Sequence, residues 1–180
     1  TVGRYLFVAA EKPIGRTDPG RIYYYDLSHP FAVKEIGYFP IGEQPAAVGV
    51  AKLTDGRYLM AIALVDTKTI DFYRSTGTQI GQLPHPGWRH LGRWYSRTIN
   101  GWLRYQAINL LADEHGALFL IGSTKTGSYS WSSGKDRVDA YRLLVFDDTR
   151  EIILRRVASR TVFCSAHERQ YGGLQCNLKA

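Results

Sequence analysis

The segment Gly3-Arg4-Tyr5-Leu6-Phe7-Val8 decides the fold, because it recurs as Gly56-Arg57-Tyr58-Leu59-Met60-Ala61, 53 residues later. A looser copy, Gly116-Ala117-Leu118-Phe119-Leu120-Ile121, follows after another 60 residues. Similarity at a regular spacing indicates a repeat architecture. Each glycine predicts a turn, and the apolar residues after it predict a short strand. We therefore predict a single repeat domain over residues 1–180, with repeats at approximately 1–53, 54–113 and 114–180.

Three further strands are predicted in each repeat. Alternating polar and apolar residues indicate second strands with one buried face at 21–26, 69–74 and 138–143. Third strands follow polar turns at 33–39, 78–83 and 152–157. Closing strands at 46–53, 106–111 and 172–178 are rich in small residues, which is typical of a crowded position. The sequence thus predicts an all-β fold with three repeats of four antiparallel strands.

The composition supports a folded β domain. The chain has 180 residues, of which 44% are hydrophobic and 22% charged, so it is long and apolar enough to bury a core. Its 18 Gly and 7 Pro favour short strands with tight turns over helices or coiled coils. No apolar run reaches the ~20 residues of a membrane-spanning helix. Cys164 and Cys176 are a disulfide candidate that slightly favours an extracellular or periplasmic location, and two free thiols are the alternative.

One segment resembles a known family. Residues 20–30, Gly-Arg-Ile-Tyr-Tyr-Tyr-Asp-Leu-Ser-His-Pro, resemble β-propeller blades, in particular bacterial repeats whose blades read apolar-Asp-x-Ser-x-Pro. Only the first copy has this pattern clearly. The resemblance implies a propeller-like architecture but no chemistry. Because propellers typically have four to eight blades, it further implies a six-bladed ring made by a homodimer, or completion by another chain. A β-trefoil, which also has three repeats of four strands, is the alternative fold.

Long connections are predicted along one edge of the repeats, at 11–20, 84–105, 123–137 and 164–171. Only short turns are expected at the opposite edge. Long loops on a rigid scaffold are where binding usually resides. Six of the seven net positive charges fall within these segments, which favours an anionic ligand or partner.

Aromatic and basic side chains are concentrated in these loops. Aromatic rings stack on sugars or bases, and guanidinium groups bind carboxylate or phosphate. The candidate ligand-binding residues are Trp88, Arg89, Arg93, Trp94, Tyr95, Trp102, Arg104, Lys125, Tyr129 and Trp131. A structural interpretation stays open, in which the tryptophans of residues 84–105 pack a small core for their own loop.

Ionisable residues give weaker indications. Asp26, Asp71 and Asp139 recur at equivalent positions of the second strands and are interpreted as hydrogen-bond acceptors that stabilise the repeats. His90 and His167 are weak candidates for an acid or base. The histidine spacing predicts no metal site, and no cofactor is expected. Singly spaced basic residues without a recognition motif disfavour nucleic acid as a partner.

The sequence favours a non-enzymatic binding module for a carbohydrate or another anionic ligand. One alternative is a propeller-type hydrolase or lyase that acts on a polyanionic substrate. Another is a structural part of a larger propeller that a second chain completes.

Overall fold

The computed structural model describes residues 2–10, 19–64, 67, 69–80, 87–95, 104–125, 135–146 and 149–163. Eleven β-strands and almost no helix lie in these ranges, so the all-β prediction is confirmed. No helix in them is long and apolar enough to cross a membrane. The strands are β1 (Tyr5–Ala10), β2 (Gly20–Asp26), β3 (Lys34–Ile41), β4 (Pro45–Lys52), β5 (Tyr58–Leu64), β6 (Thr69–Ser75), β7 (Trp88–Tyr95), β8 (Arg104–Ala112), β9 (Leu118–Lys125), β10 (Lys135–Phe146) and β11 (Glu151–Phe163).

The strands form three antiparallel sheets in which neighbours in the chain are also neighbours in the sheet. The first sheet is β1-β2-β3, the middle sheet β4-β5-β6-β7 and the third sheet β8-β9-β10-β11. Connections between successive antiparallel strands alternate between the two edges of a sheet. We call the edge with the β4–β5 and β8–β9 turns the turn edge, and the opposite one the loop edge.

The middle sheet lies between the other two. Its strand β5 is buried along its whole length and reads Tyr-Leu-Met-Ala-Ile-Ala-Leu, an apolar run typical of a strand that is covered on both faces. Met60 and Ile62 pack in a core cluster with residues of the first sheet. Leu59 and Ala61 pack in a second cluster with residues of the third sheet. The core therefore consists of two apolar layers, one on each face of the middle sheet.

Small residues allow β4 and β8 to lie close together. A Cβ atom added to Gly49 would come within 2.8 Å of the Leu110 backbone nitrogen and 3.0 Å of Asn109 Cα. Real Cβ atoms do not approach backbone this closely, so only glycine fits here. The predicted crowding of the closing strands is thus present at β4, where the middle sheet meets the third.

The two Gly-Arg-Tyr-Leu segments use opposite faces. Tyr5 and Tyr58 are both buried in the core between the first and middle sheets, where their rings meet edge to face at 6.4 Å. Tyr5 therefore points towards the middle sheet, whereas Tyr58 points back towards the first. Side chains alternate along a strand, so a shift of one residue reverses the face that each side chain uses. Identity of sequence here does not mean identity of environment.

The prediction for the last strand of the middle sheet was wrong. Residues 78–80 of the predicted strand 78–83 are not in a strand, and the fourth strand is instead Trp88–Tyr95. Strand β7 lies within the segment that was expected to be a single loop over 84–105. The β6–β7 connection, 76–87, is long and lies at the turn edge, so the prediction of only short turns there was also wrong. The predicted strand 172–178 lies outside the described residues.

Candidate functional site

The predicted ligand-binding residues of β7 do not form a solvent-facing loop. Trp88 is 4% exposed and packs against the rings of Phe7 and Tyr24. Trp94 lies on the opposite face, with its ring 5.5 Å from that of Tyr141 in the third sheet. Trp88 therefore belongs to the core between the first and middle sheets. The structural interpretation of this tryptophan describes its environment better than ligand contact.

Arg93 is also held by the protein itself. Its guanidinium Nε is 2.6 Å from Asp71 Oδ1, and one terminal nitrogen is 2.9 Å from Asp71 Oδ2 and 2.6 Å from Glu43 Oε1. This geometry joins β7 to β6 and to the β3–β4 connection. A guanidinium whose donors are satisfied by two carboxylates is poorly suited to bind an external anion.

The remaining described candidates lie on β7, β8 and β9. Tyr95 is exposed, Arg89 is exposed, and Arg104 lies opposite Lys125 in the register of β8 and β9. The His90 ring lies 5.0 Å from that of Tyr73 at an angle of 60°, and its Nε2 lies 3.7 Å from Asp71 Oδ2. The described residues contain no group of His, Cys, Asp or Glu arranged to hold a metal. The other candidates, which lie outside the described residues, are Trp102, Tyr129, Trp131, His167, Cys164 and Cys176.

Two of the recurring aspartates occupy equivalent positions, and the third does not. Asp71 lies opposite Ile62, six residues after Gly56, and Asp139 lies opposite Gly122, six residues after Gly116. Asp26 instead ends β2 at the turn edge, where it accepts hydrogen bonds from Ser28. The predicted equivalence of Asp26 was therefore wrong. The better signal is the motif Asp-x-Tyr-Arg, present at 71–74 and 139–142.

Asp139 forms a buried polar cluster between the middle and third sheets. Its Oδ2 accepts hydrogen bonds from Arg137 Nε at 2.8 Å and from the Tyr105 hydroxyl at 3.3 Å. The hydroxyls of Tyr105 and Tyr141 are 2.7 Å apart. Burial raises the pKa of both tyrosines, so they remain protonated near neutral pH. The aspartates of the two Asp-x-Tyr-Arg motifs thus join strands by hydrogen bonds, as the sequence predicted.

The arginines of the same motifs lead to a different surface. Arg74 lies directly opposite Arg89, and Arg142 lies directly opposite Arg155. Each pair extends into a four-residue row that crosses its whole sheet. In the middle sheet the row is Ala51, Leu59, Arg74 and Arg89, and in the third sheet it is Leu111, Phe119, Arg142 and Arg155. Like charges directly opposite each other in a sheet destabilise the strand pair.

In the middle sheet, Arg74 of the arginine pair has a carboxylate partner. Asp55 Oδ2 lies 2.5 Å from a terminal nitrogen of Arg74 and 2.7 Å from one of Arg57. Partial burial by itself would raise the pKa of Asp55, but hydrogen bonds from Arg57 and Arg74 outweigh it and lower that pKa to about 2. Asp55 is therefore ionised at neutral pH and places a negative charge beside Arg74.

The third sheet lacks this carboxylate. The turns before β5 and β9 are alike: Leu53 and Arg57 bond through their backbones in one, and Asp113 and Ala117 do so in the other. By this alignment, His115 stands where the first turn has Asp55. Arg142 and Arg155 are both exposed, and neither has an ion-pair partner among the described residues.

Apolar side chains surround the exposed arginine pair. The face of the third sheet that points away from the middle sheet has seven partly exposed or exposed apolar residues: Leu111, Phe119, Ile121, Ala140, Leu144, Phe146 and Ile153. No described strand packs on this face. We call it the outer face of the third sheet. It combines apolar area with two adjacent guanidinium groups and is the strongest candidate for a functional surface.

Neither a protein-family model nor a curated protein matches this chain.

Proposed function

We propose that this protein is a non-enzymatic binding module that holds a carboxylate or similar anionic group between Arg142 and Arg155. The observation that carries the proposal is the exposed cross-strand pair, which has no carboxylate partner among the described residues. Its counterpart in the middle sheet, by contrast, has Asp55. An anion between the two guanidinium groups would remove their repulsion and form charge-assisted hydrogen bonds with both.

The surroundings support an anion that is attached to an apolar group. Phe119 lies beside Arg142 in the register, and Leu144 and Ile153 lie opposite each other on the same face. Apolar neighbours exclude water when a ligand is bound, which strengthens ionic hydrogen bonds. A bare inorganic ion would leave these side chains uncovered, so an acidic peptide or an acidic saccharide fits the surface better.

We further propose that the three sheets are consecutive blades of a β-propeller. Propeller blades are four-stranded sheets arranged around a common axis. The middle and third sheets are four-stranded meanders, and the first has three described strands. Full cover of the middle sheet on both faces is what a blade receives from its two neighbours. Within each sheet, every strand pairs with the next strand of the chain, and this order supports the propeller over the β-trefoil.

The anion proposal is tested by titrating the fluorescently labelled protein with hexaglutamate and, separately, with a sulfated oligosaccharide. The variant R142Q/R155Q should bind at least roughly tenfold more weakly, because two charge-assisted contacts are lost. The matched control is R4Q/R57Q, which removes two arginines that are paired with Asp26 and Asp55. Equal weakening in both variants would indicate a response to net charge alone and would contradict the proposal.

A further inference from the structure

The first sheet also has an open face. Leu6, Val8, Tyr23, Tyr25 and Tyr38 share this face, because Leu6 lies opposite Tyr25 and Val8 opposite Tyr23. Val8 is 38% exposed and Tyr38 49% exposed. No described strand packs on this side of the sheet. We call it the outer face of the first sheet.

Aromatic rings give this face a preformed surface. The ring of Tyr23 lies 6.4 Å from that of Tyr25 and 5.9 Å from that of Tyr38. The guanidinium of Arg21 lies over the ring of Tyr38, 4.8 Å from its centre. Contacts between side chains on one sheet face reduce their freedom before any partner arrives, so less entropy is lost on binding. Tyrosine is enriched in protein interfaces. Its ring is apolar, and its hydroxyl can form a hydrogen bond at the wet end.

One carboxylate lies on the same face. Glu35 is exposed and lies opposite Tyr25, near the turn edge of β3, which is the last strand of the first sheet. Arg155 occupies the corresponding strand of the third sheet, because β11 is also the last of its sheet. Both residues lie in the half of their strand that is nearer the turn edge. Sheets stacked in the same orientation as those within the chain would bring Glu35 of one copy towards Arg155 of another.

We propose that two copies of this chain associate head to tail, with the outer face of the first sheet of one copy on the outer face of the third sheet of the other. Glu35 then supplies the anion for Arg142 and Arg155, and the tyrosines cover Phe119 and its apolar neighbours. This inference rests on the proposed function, because it identifies the anionic group. Two such contacts between two copies close a ring of six sheets.

Packing within the chain supports this docking. In the middle sheet, Ala51 and Leu59 of the arginine row are at most 4% exposed, because the third sheet covers them. Leu111 and Phe119, at the same positions of the third sheet, remain partly exposed. The outer face of the third sheet thus corresponds to the face of the middle sheet that packs against a neighbouring sheet. The first sheet of a second copy has an apolar outer face, and its carboxylate, Glu35, lies in the half of β3 that is nearer the turn edge.

The test is the solution mass by light scattering after size exclusion, over a range of protein concentrations. We expect twice the chain mass of 20.3 kDa for the wild type and the single-chain mass for E35R. The combined variant E35R/R155E should recover the dimer, because it exchanges the two charges across the contact. The matched control, E114R, changes an exposed glutamate in the β8–β9 turn and should remain dimeric.

The outcomes separate this inference from the proposed function. A wild type that is monomeric at every concentration, or a dimer that E35R leaves intact, overturns the head-to-tail contact. Weaker hexaglutamate binding by R142Q/R155Q would in that case still support the anion site. Because Glu35 would occupy the site in the dimer, this comparison is made in E35R, where the arginine pair is open. If adding R142Q/R155Q to E35R leaves hexaglutamate binding unchanged, the anion site itself is absent. Recovery in E35R/R155E excludes loss of folding as the cause of dissociation in E35R.

Discussion

At the scale of single residues, one carboxylate distinguishes the two arginine rows. Asp55 accepts hydrogen bonds from the side chain and backbone of Arg57 and forms an ion pair with Arg74. The corresponding residue of the third sheet, His115, is 83% exposed at its side chain and lies beside Glu114. A single difference between two similar turns therefore gives Arg74 a carboxylate partner that Arg142 lacks among the described residues.

Replacing Asp55 should make the unfolding free energy of the protein less dependent on pH in the acid range. The folded-state pKa of Asp55, about 2, is below its ordinary value near 3.9, so its ionised form stabilises the fold above about pH 4. This contribution is lost as the pH falls through 2. Because the group is partly exposed, we expect D55N to lower the unfolding free energy by about 1 kcal/mol or less at pH 7.

Urea denaturation of D55N and wild type at pH 7 and at pH 2 measures this effect. The difference between the two proteins should shrink towards zero at the lower pH. E114Q is the control, since Glu114 is 76% exposed at its side chain and lies beside His115, which is 83% exposed. A difference for D55N that is equally large at both pH values would mean that its charge is not what stabilises the turn.

At the scale of elements, the approach of β4 to β8 depends on Gly49. In G49A the new methyl group would meet the β8 backbone at Leu110 and Asn109, which cannot move without breaking hydrogen bonds to β9. Overpacking of this kind typically costs about 1–3 kcal/mol. G42A is the control, because nothing lies within 4 Å of a Cβ atom at Gly42. Thermal unfolding that affects G49A no more than G42A would contradict this close contact.

Ten of the eleven described strands coincide with or overlap strands that the sequence predicts, and β7 does not. Periodicity and turn residues suffice for strands such as β5 and β6, whose patterns are local. β7 contains Gly92, His90, two arginines and two tryptophans, which resemble a loop when considered alone. Its strand character becomes clear only when Arg93 is paired with Asp71 on β6, a partner 22 residues earlier.

Predicting the candidate site from the sequence depends even more on the pairing of strands that are distant in the chain. The sequence directed attention to basic and aromatic residues of the predicted loops, but Trp88 and Arg93 are occupied by contacts within the fold. Arg142 and Arg155 lie thirteen residues apart in the chain and become neighbours only through the β10–β11 register. That register includes a shift between Ala140 and Tyr141, which no local sequence pattern predicts.

At the scale of the whole molecule, the first and third sheets are coupled through the middle sheet. Ile62 and Leu59 lie three residues apart on β5, are at most 1% exposed, and pack on opposite faces. Shortening either side chain to alanine should cost about 2–5 kcal/mol, but at different interfaces. We therefore expect I62A to accelerate amide exchange mainly in β1–β3, and L59A mainly in β8–β11.

Hydrogen exchange followed by mass spectrometry distinguishes this behaviour from global unfolding. Local openings expose only the elements that lose contacts, whereas global unfolding exposes every amide to the same extent. If I62A and L59A accelerated exchange equally in all three sheets, the molecule would open as one unit and the two apolar layers would not act separately. Faster exchange in β1–β3 for I62A and in β8–β11 for L59A would mean that each flanking sheet can detach while the other stays packed. Hexaglutamate bound to the outer face of the third sheet would then protect β8–β11 without slowing exchange in β2.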